Sequence, residues 1–480
     1  MAENPIIVWF RLDLRLADHA ALTAAAKTAA PVIPVYILDD ETPGRWRIGG
    51  AARWWLHGSL EALDRDLAPL GGKLCLRSGA APKVLAGLID ETGAKAVHAT
   101  RGYEPWEPEL EQSIDRICRA RNVELRLFPG RLLFEPDAIA TGSGKPFRVF
   151  TPFWKACLAA PAPQPPLPAP NFARFAAVKG DALGTLKLRP AKPDWADGLR
   201  AAWQPGERAA RARLDHFIAN GLAHYADDRG YLDDAATSRL SPHLHSGEIS
   251  PHQLWHAVSN AAGMAGGKKD RGAESFLREI GWREFSYHLL HHFPNMVSEP
   301  LRAEFANFPW RDEGRALRAW QKGETGYPIV DAAMRALWQT GWMPNRARMI
   351  VASFLVKHLL IPWQVGADWF LDTLVDADLA NNTTSWQWVA GSGTDAAPYF
   401  RIFNPTLQAI KFDPRGNYVR RWVPELAKLP VPDIHAPWDA PPLTLAEGGV
   451  TLGRTYPNPI VEHGAARARA LEAFKTIRAD

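Results

Sequence analysis

The stretch IIVWFRLDLRLADHAALTAAAKTAAPVIPVYIL, residues 6–38, sets two short apolar runs on either side of an alanine-rich segment. The runs 6–10 and 32–38 are β-rich and almost wholly apolar, the pattern of strands covered on both faces. Between them ADHAALTAAAKTA carries helical periodicity, so the order is strand, helix, strand. Outward from there, KLCLRSG (73–79), AVHAT (96–100) and VELRLF (123–128) add three strand candidates. AARWWLHGSLEALDRDLAPL, PKVLAGLIDETG and EPELEQSIDRICRAR supply the intervening helices. Residues 1–130 therefore predict an α/β domain, a Rossmann-like parallel sheet with helices on both faces. The first strand runs into RLDLRLAD and not into a G-x-G-x-x-G turn, so the usual dinucleotide fingerprint is missing. A dinucleotide, if one binds, is expected elsewhere in the chain.

APAPQPPLPAP (160–170) cannot continue a helix or a central strand, and it marks a connector over 131–205. From 206 onward apolar residues recur at helical spacing and strand alternation is scarce, which predicts an all-α domain over 206–480. The 480 residues are 46% hydrophobic and carry 56 basic against 52 acidic side chains, a net charge of +4 that decides nothing about nucleic acid. Cys75, Cys118 and Cys157 are too few for a disulfide framework, a four-cysteine iron–sulfur cluster or a four-cysteine zinc site, and they fit a reducing, intracellular compartment. The start lacks a signal-peptide pattern, and no run approaches a membrane span. Of 20 tryptophans, 12 lie beyond residue 205. Taken singly each is explained by core filling; as a set they invite stacking or electron transfer.

Four stretches carry candidate chemistry. YADDRGYLDDAATSRLSPHLHSGEISP holds Thr237, Ser238, Arg239 and Ser241 in a turn ahead of a helix, where hydroxyls and N–H groups can meet an anion or simply cap the helix. Ser250 before Pro251 reads as a plain cap. In FLREIGWREF, Glu279, Trp282 and Arg283 share a helical face, suited to stacking a base and exchanging protons or to an ion pair beside a core indole. In WMPNRARM, Asn345, Arg348 and Met349 share a face while Arg346 points elsewhere. VDADLANNTTSWQWVAGSGTDAAPYFRIFNP groups Asp376, Asp378, Asn381, Asn382, Trp386 and Trp388; its acids have no accompanying His or Cys and do not match a calcium loop, so no metal is expected.

Together VWFRLDLRLAD, TSRLSPHL, WREF, TGYPIVDAAMR, GWMPNRARMI and DADLANN…WQWVAGSGTDAAPYFRIFNP resemble, in order and over nearly the whole chain, the photolyase/cryptochrome family. The resemblance implies an α/β antenna domain, a long connector and a helical domain that holds FAD. It assigns Tyr225 and the turn Thr237, Ser238, Arg239, Leu240 and Ser241 to the FAD phosphates. Arg348, Asp376 and Asp378 fall to the isoalloxazine and ribitol regions, and Asn382 to flavin N5. Plant cryptochromes of the family usually have an acid at that last position, so the amide favours repair by fully reduced FADH⁻, with the protein supplying geometry and field.

The same resemblance lines a pocket for a flipped pyrimidine dimer of ultraviolet-damaged DNA with Trp282, Trp342, Met349 and Trp388. Glu279 and Asn345 would hydrogen-bond the lesion, with Arg283 and Arg346 nearby. A lesion with weakened stacking costs less to extrude, which supplies part of the selectivity. Family members acting on (6-4) photoproducts place a histidine where this chain has Pro344 or Asn345, which points to cyclobutane dimers. Trp386, Trp363 and Trp310 fall at the family's photoreduction chain. Trp106 and Glu107 fall at its antenna site for 5,10-methenyltetrahydrofolate, although a cysteine used in one binding mode is Met296 here; a deazaflavin or no second chromophore stays open. The expected activity is that of a monomeric, light-driven carbon–carbon lyase. A cryptochrome-type signalling flavoprotein is the alternative, and only about 75 residues follow RIFNP. A flavin oxidoreductase acting on small metabolites would leave Trp282, Trp342 and Trp388 unexplained.

Overall fold

Strands β1 (Ile6–Phe10), β2 (Val32–Leu38), β3 (Cys75–Ser78), β4 (Ala96–Thr100) and β5 (Glu124–Phe128) form one sheet in the order β3-β2-β1-β4-β5. Every pairing is parallel, with Ile6 opposite both Val32 and Ala96. The computed structural model that shows this describes residues 4–171, 174–233, 237–263 and 270–477. All five expected strands are present, and two are shorter than read. Leu74 lies outside β3 because its N–H goes to the Asp64 carboxylate at 2.8 Å, and Gly79, at φ +119°, ends the run by donating to Leu38 O.

Alternation along β1 feeds two cores. Ile6, Val8 and Phe10 pack with Leu56, Leu60 and Leu63 of α2 (Gly50–Leu67), beyond α1 (Ala20–Ala26). Ile7 and Trp9 pack with Leu85, Leu88 and Ile89 of α3 (Ala81–Thr92) and with Leu110 and Ile114 of α4 (Glu107–Arg119). A sheet apolar on both faces needs helices on both, and the parallel crossovers supply them.

The chain divides into two compact units, one of Met1–Ala226, Ser238–Pro294 and Val375–Ala380, the other of Asp227–Thr237, Asn295–Leu374 and Asn381–Asp480. After the sheet come α5 (Phe150–Ala159), α6 (Asp197–Ala202), α7 (Glu207–Asn220), α8 (Tyr225–Asp228), α9 (Ser241–His245), α10 (Pro251–Ala261) and α11 (Arg271–His292). Residues 161–171 form no regular element. Ser250 and Gln253 make the reciprocal capping box that starts α10, as the Ser-Pro pair predicts. Further on lie α12 (Gly314–Lys322), α13 (Pro328–Thr340), α14 (Asn345–Ser353), α15 (Trp363–Thr373), α16 (Leu379–Ala390), α17 (Pro405–Phe412), α18 (Asn417–Trp422), α19 (Pro442–Gly448) and α20 (His463–Thr476). Among the described residues no strand follows β5, and no helix is long and apolar enough to cross a membrane.

Cys75, Cys118 and Cys157 are unpaired and buried, and burial raises all three thiols, Cys118 to about 11 and Cys157 to about 12. Within the first unit, Gly247 has φ +69° and a Cβ there would lie 2.1 Å from Leu12 O. Its own carbonyl accepts from Arg15 Nη1 at 2.9 Å, so neither backbone can retreat freely. Gly247→Ala is expected to cost about 2 kcal/mol or more, read as a lower midpoint in urea unfolding.

Candidate functional site

Unit two collects α14, α15 and most of α16. Pro344 occupies the position before α14 in extended geometry, which ends the preceding turn and sets Asn345 exposed at the first helical position. Arg348 Nε reaches back to Met343 O at 3.0 Å, and its guanidinium lies 6.0 Å from the Trp342 ring. Asn345 Nδ2 points at Met349 Sδ, 4.0 Å away, so these two stand on one face as their spacing predicts. Arg346 turns off that face and lies 4.2 Å over Phe412. Trp388 is half-buried in α16.

Asn382 donates its Nδ2 to Ala367 O at 3.0 Å. A carbonyl only accepts, so this bond fixes the amide orientation and leaves Oδ1 as the acceptor atom. Trp386 and Trp363 are buried, Trp310 half-buried. The Trp386 indole lies edge-on to Phe370 at 5.1 Å and to Trp320 at 6.4 Å. Its rim rests on Gly366, where a Cβ would meet Trp386 Cη2 at 2.1 Å. Gly366 is three residues after Trp363 on α15, so the missing side chain admits one indole one turn from the other. Trp310 packs on Phe308 at 4.4 Å.

Unit one holds the remaining positions. Tyr225 is wedged edge-on between Phe217 and Phe276. Arg239 sits in the left-handed region at φ +52°, Ser238 Oγ accepts from the Leu240 N–H at 3.4 Å, and α9 begins at Ser241 with no side-chain cap on its first turn. The Arg239 guanidinium covers Trp203 at 4.3 Å. Asp376 and Asp378 are buried. Asp378 Oδ2 accepts from the Tyr287 hydroxyl at 2.6 Å and lies 4.0 Å from His245 Nδ1. On α11, Glu279 and Trp282 are half-buried, and Phe150 stacks flat on Trp282 at 3.7 Å. Arg283 is buried. It pairs with Glu284 at 3.2 Å and lies 4.9 Å over Tyr287, because Glu284 is itself buried, accepting the Leu133 and Phe134 N–H groups.

Glu107 lies at the start of α4. It is buried, Oε1 accepts from Arg11 at 2.6 Å, and Oε2 takes the Glu104 N–H at 3.0 Å and Arg131 at 3.4 Å. It closes an internal ion cluster with Glu104 and Glu111. Burial, with Glu104 alongside, pushes its carboxyl up to about 8 against the opposing pull of Arg11 and Arg131. Trp106 is half-buried and stacks on Trp46 at 6.0 Å. Sequence reasoning missed Glu104, Arg131, Glu284 and Tyr287. The available signals were the acid Glu284 and the tyrosine Tyr287 three residues apart on one helix face. Among the described residues, Asp137, His291 and His292 are the one group of three ligand-type side chains within 4.8 Å of one another, so Asp376 and Asp378 belong to no such group.

The family description "DNA photolyase" matches residues 6–171 and "FAD binding domain of DNA photolyase" residues 276–476. A deoxyribodipyrimidine photo-lyase of Agrobacterium fabrum is 50% identical over 476 residues, covering 99% of this chain and 98% of that protein. The chain belongs to the DNA photolyase family. Within that family a solved bacterial class III photolyase from Agrobacterium tumefaciens superposes with a TM-score of 0.96 at 49% identity, covering 100% of this chain and 99% of the other. Cryptochrome-1 of Arabidopsis thaliana is 39% identical, covering 98% of this chain and 70% of its own length. As a photolyase-family chain it carries the FAD-binding domain, and its residues fit that cofactor. His245 Nδ1 beside Asp378 in one unit, and Thr384 Oγ1 one residue pair beyond Asn382 in the other, are buried without a hydrogen-bond partner in the protein. Buried polar atoms are costly when unmet and suit a polar ligand.

Two outcomes follow. Gly366→Ala should destabilise by about 1–3 kcal/mol by displacing Trp386, measured by thermal unfolding and by tryptophan fluorescence. For Glu107, the folded chain keeps a proton that the unfolded chain loses above its ordinary value of 4.5, so this group's contribution to stability falls as pH rises from there to about 8. Glu107→Gln should therefore gain on the parent in unfolding midpoint between about pH 5 and about pH 8; a constant gap would contradict the assignment.

Proposed function

We propose that this chain repairs cyclobutane pyrimidine dimers in ultraviolet-damaged DNA by light-driven electron transfer from fully reduced FAD. The observation that carries the reading is the Asn382 amide. With one Nδ2 hydrogen on Ala367 O, its Oδ1 is the acceptor end of the amide, which suits the N5–H of a reduced flavin. Near-complete alignment with a relative named deoxyribodipyrimidine photo-lyase supports the same reading.

Arg348, Asp376, Asp378 and Asn382 would hold the isoalloxazine and ribitol, with Tyr225 and the Thr237–Ser241 turn at the phosphates. When bound, the reduced flavin supplies an excited-state electron donor, and the electron returns to it after ring opening, so no net redox change results. The protein's part is to extrude, stack and hydrogen-bond the lesion. Trp282 is held flat by Phe150 and, with Trp342, Met349 and Trp388, offers aromatic and thioether surface for the extruded bases. Glu279 and Asn345 would hydrogen-bond the dimer, Glu279 stabilising its negative charge after electron arrival. Arg346, anchored over Phe412, would meet the DNA backbone, making affinity salt-dependent. Trp386, Trp363 and Trp310 would refill the flavin with electrons; stepwise transfer through neighbouring indoles is faster than one long jump. For an antenna folate, Trp106 against Trp46 and the Glu107 carboxyl, here engaged by Arg11 and the Glu104 N–H, are the expected contacts.

The 39% identity to Cryptochrome-1 gives the second reading, a blue-light signalling flavoprotein with the same cofactor. The deciding assay follows loss of dimers from ultraviolet-irradiated oligothymidine with anaerobically reduced protein, in light and in darkness. Repair in light only, lowered about tenfold or more in Glu279→Ala through loss of a charge-assisted hydrogen bond, is expected. No repair with FAD bound and fully reduced would favour signalling.

A further inference from the structure

Tyr287 lies buried in α11 with its hydroxyl between two partners. It accepts from Arg131 Nη2 at 3.1 Å and donates to Asp378 Oδ2 at 2.6 Å. Because a guanidinium can only donate, the hydroxyl hydrogen is left to the carboxylate, and the direction of this bond is fixed. Behind it Arg131 forks onto both oxygens of Glu104, at 2.7 and 2.9 Å, and touches Glu107 at 3.4 Å. Arg11, at the end of β1, closes the far side on Glu107 at 2.6 Å and Glu111 at 2.5 Å. Every one of these side chains is buried in the first unit.

We propose that Tyr287 is a positioning residue for the bound flavin, holding Asp378 through a buried chain that runs from Asp378 through Tyr287 and Arg131 to the Glu104–Glu107 carboxyl pair. It rests on the reading that Asp378 meets the flavin. Three carboxyls face two guanidiniums in the cluster, so one proton on the pair makes it neutral. The pair holds that proton, with burial and the neighbouring Glu104 raising the Glu107 carboxyl to about 8. The charged and titratable groups facing the pair are Arg11 just after β1, Arg131 from the loop after β5, Glu111 one turn along α4, and Tyr287 from α11 through Arg131. Loss of the proton adds a negative charge to the chain behind Asp378, and a gain of negative charge by the flavin on reduction then becomes less favourable.

The test uses the FAD-loaded protein and measures the midpoint potential of the flavin against pH, with flavin content and absorption spectrum, in the parent, Tyr287→Phe, Glu107→Gln and Asp378→Asn. The parent potential should fall more steeply near pH 8, and Glu107→Gln should abolish that bend. Tyr287→Phe should retain its flavin but change the reduction equilibrium about tenfold, about 30 mV for a two-electron couple, and lose the bend. A Tyr287→Phe curve that coincides with the parent while Asp378→Asn shifts overturns the proposal. If Asp378→Asn also leaves spectrum, content and potential unchanged, the placement of Asp378 at the flavin fails, and the proposal with it. Should Tyr287→Phe not fold, Glu107→Gln decides alone: a bend that persists, like a parent curve without one, overturns the chain.

Discussion

The burial of Arg131 is the constraint on which the first unit is organised. A guanidinium cannot shed its proton, so a buried one must be paired and hydrogen-bonded or the fold carries an uncompensated charge. Glu104 answers with both oxygens, Glu107 adds a third contact and Tyr287 a fourth. Arg131 itself follows β5, and its partners come from the loop between β4 and α4, the start of α4 and the middle of α11. One side chain thus ties the sheet's connecting loops to the helix that carries Glu279 and Trp282. The close fit of the carboxylates has its own requirement: at Gly102 a Cβ would meet Glu107 Oε2 at 2.0 Å.

The sheet was legible because its strands are apolar on both faces and separated by helices, a pattern that leaves little choice of architecture. Where the reading overran, at Leu74 and Gly79, a side-chain acceptor and a glycine conformation ended the ladder, and neither leaves a hydrophobic signature. The helical half was legible from spacing, and α14 places Asn345, Met349 and Arg346 on the faces that i, i+4 geometry predicts.

Roles were harder to read than positions. Glu107 and Arg283 look alike in sequence to any surface charge, yet both point inward. Their partners, Arg11 and Arg131 for one and Glu284 for the other, lie 96, 24 and 1 residues away in sequence, and only folding brings the distant ones into reach. Gly366 was silent for the opposite reason: its contribution is an absent side chain, visible only once Trp386 is seen lying on it.

The three cysteines carry a practical consequence. A thiol reacts through its thiolate, and burial both hides these sulfurs and keeps that form scarce near neutral pH. A cysteine introduced on the exposed surface would therefore be the one fast-reacting thiol in the chain. Spin labels or fluorophores could be attached at a chosen position through maleimide chemistry, with the native cysteines left in place.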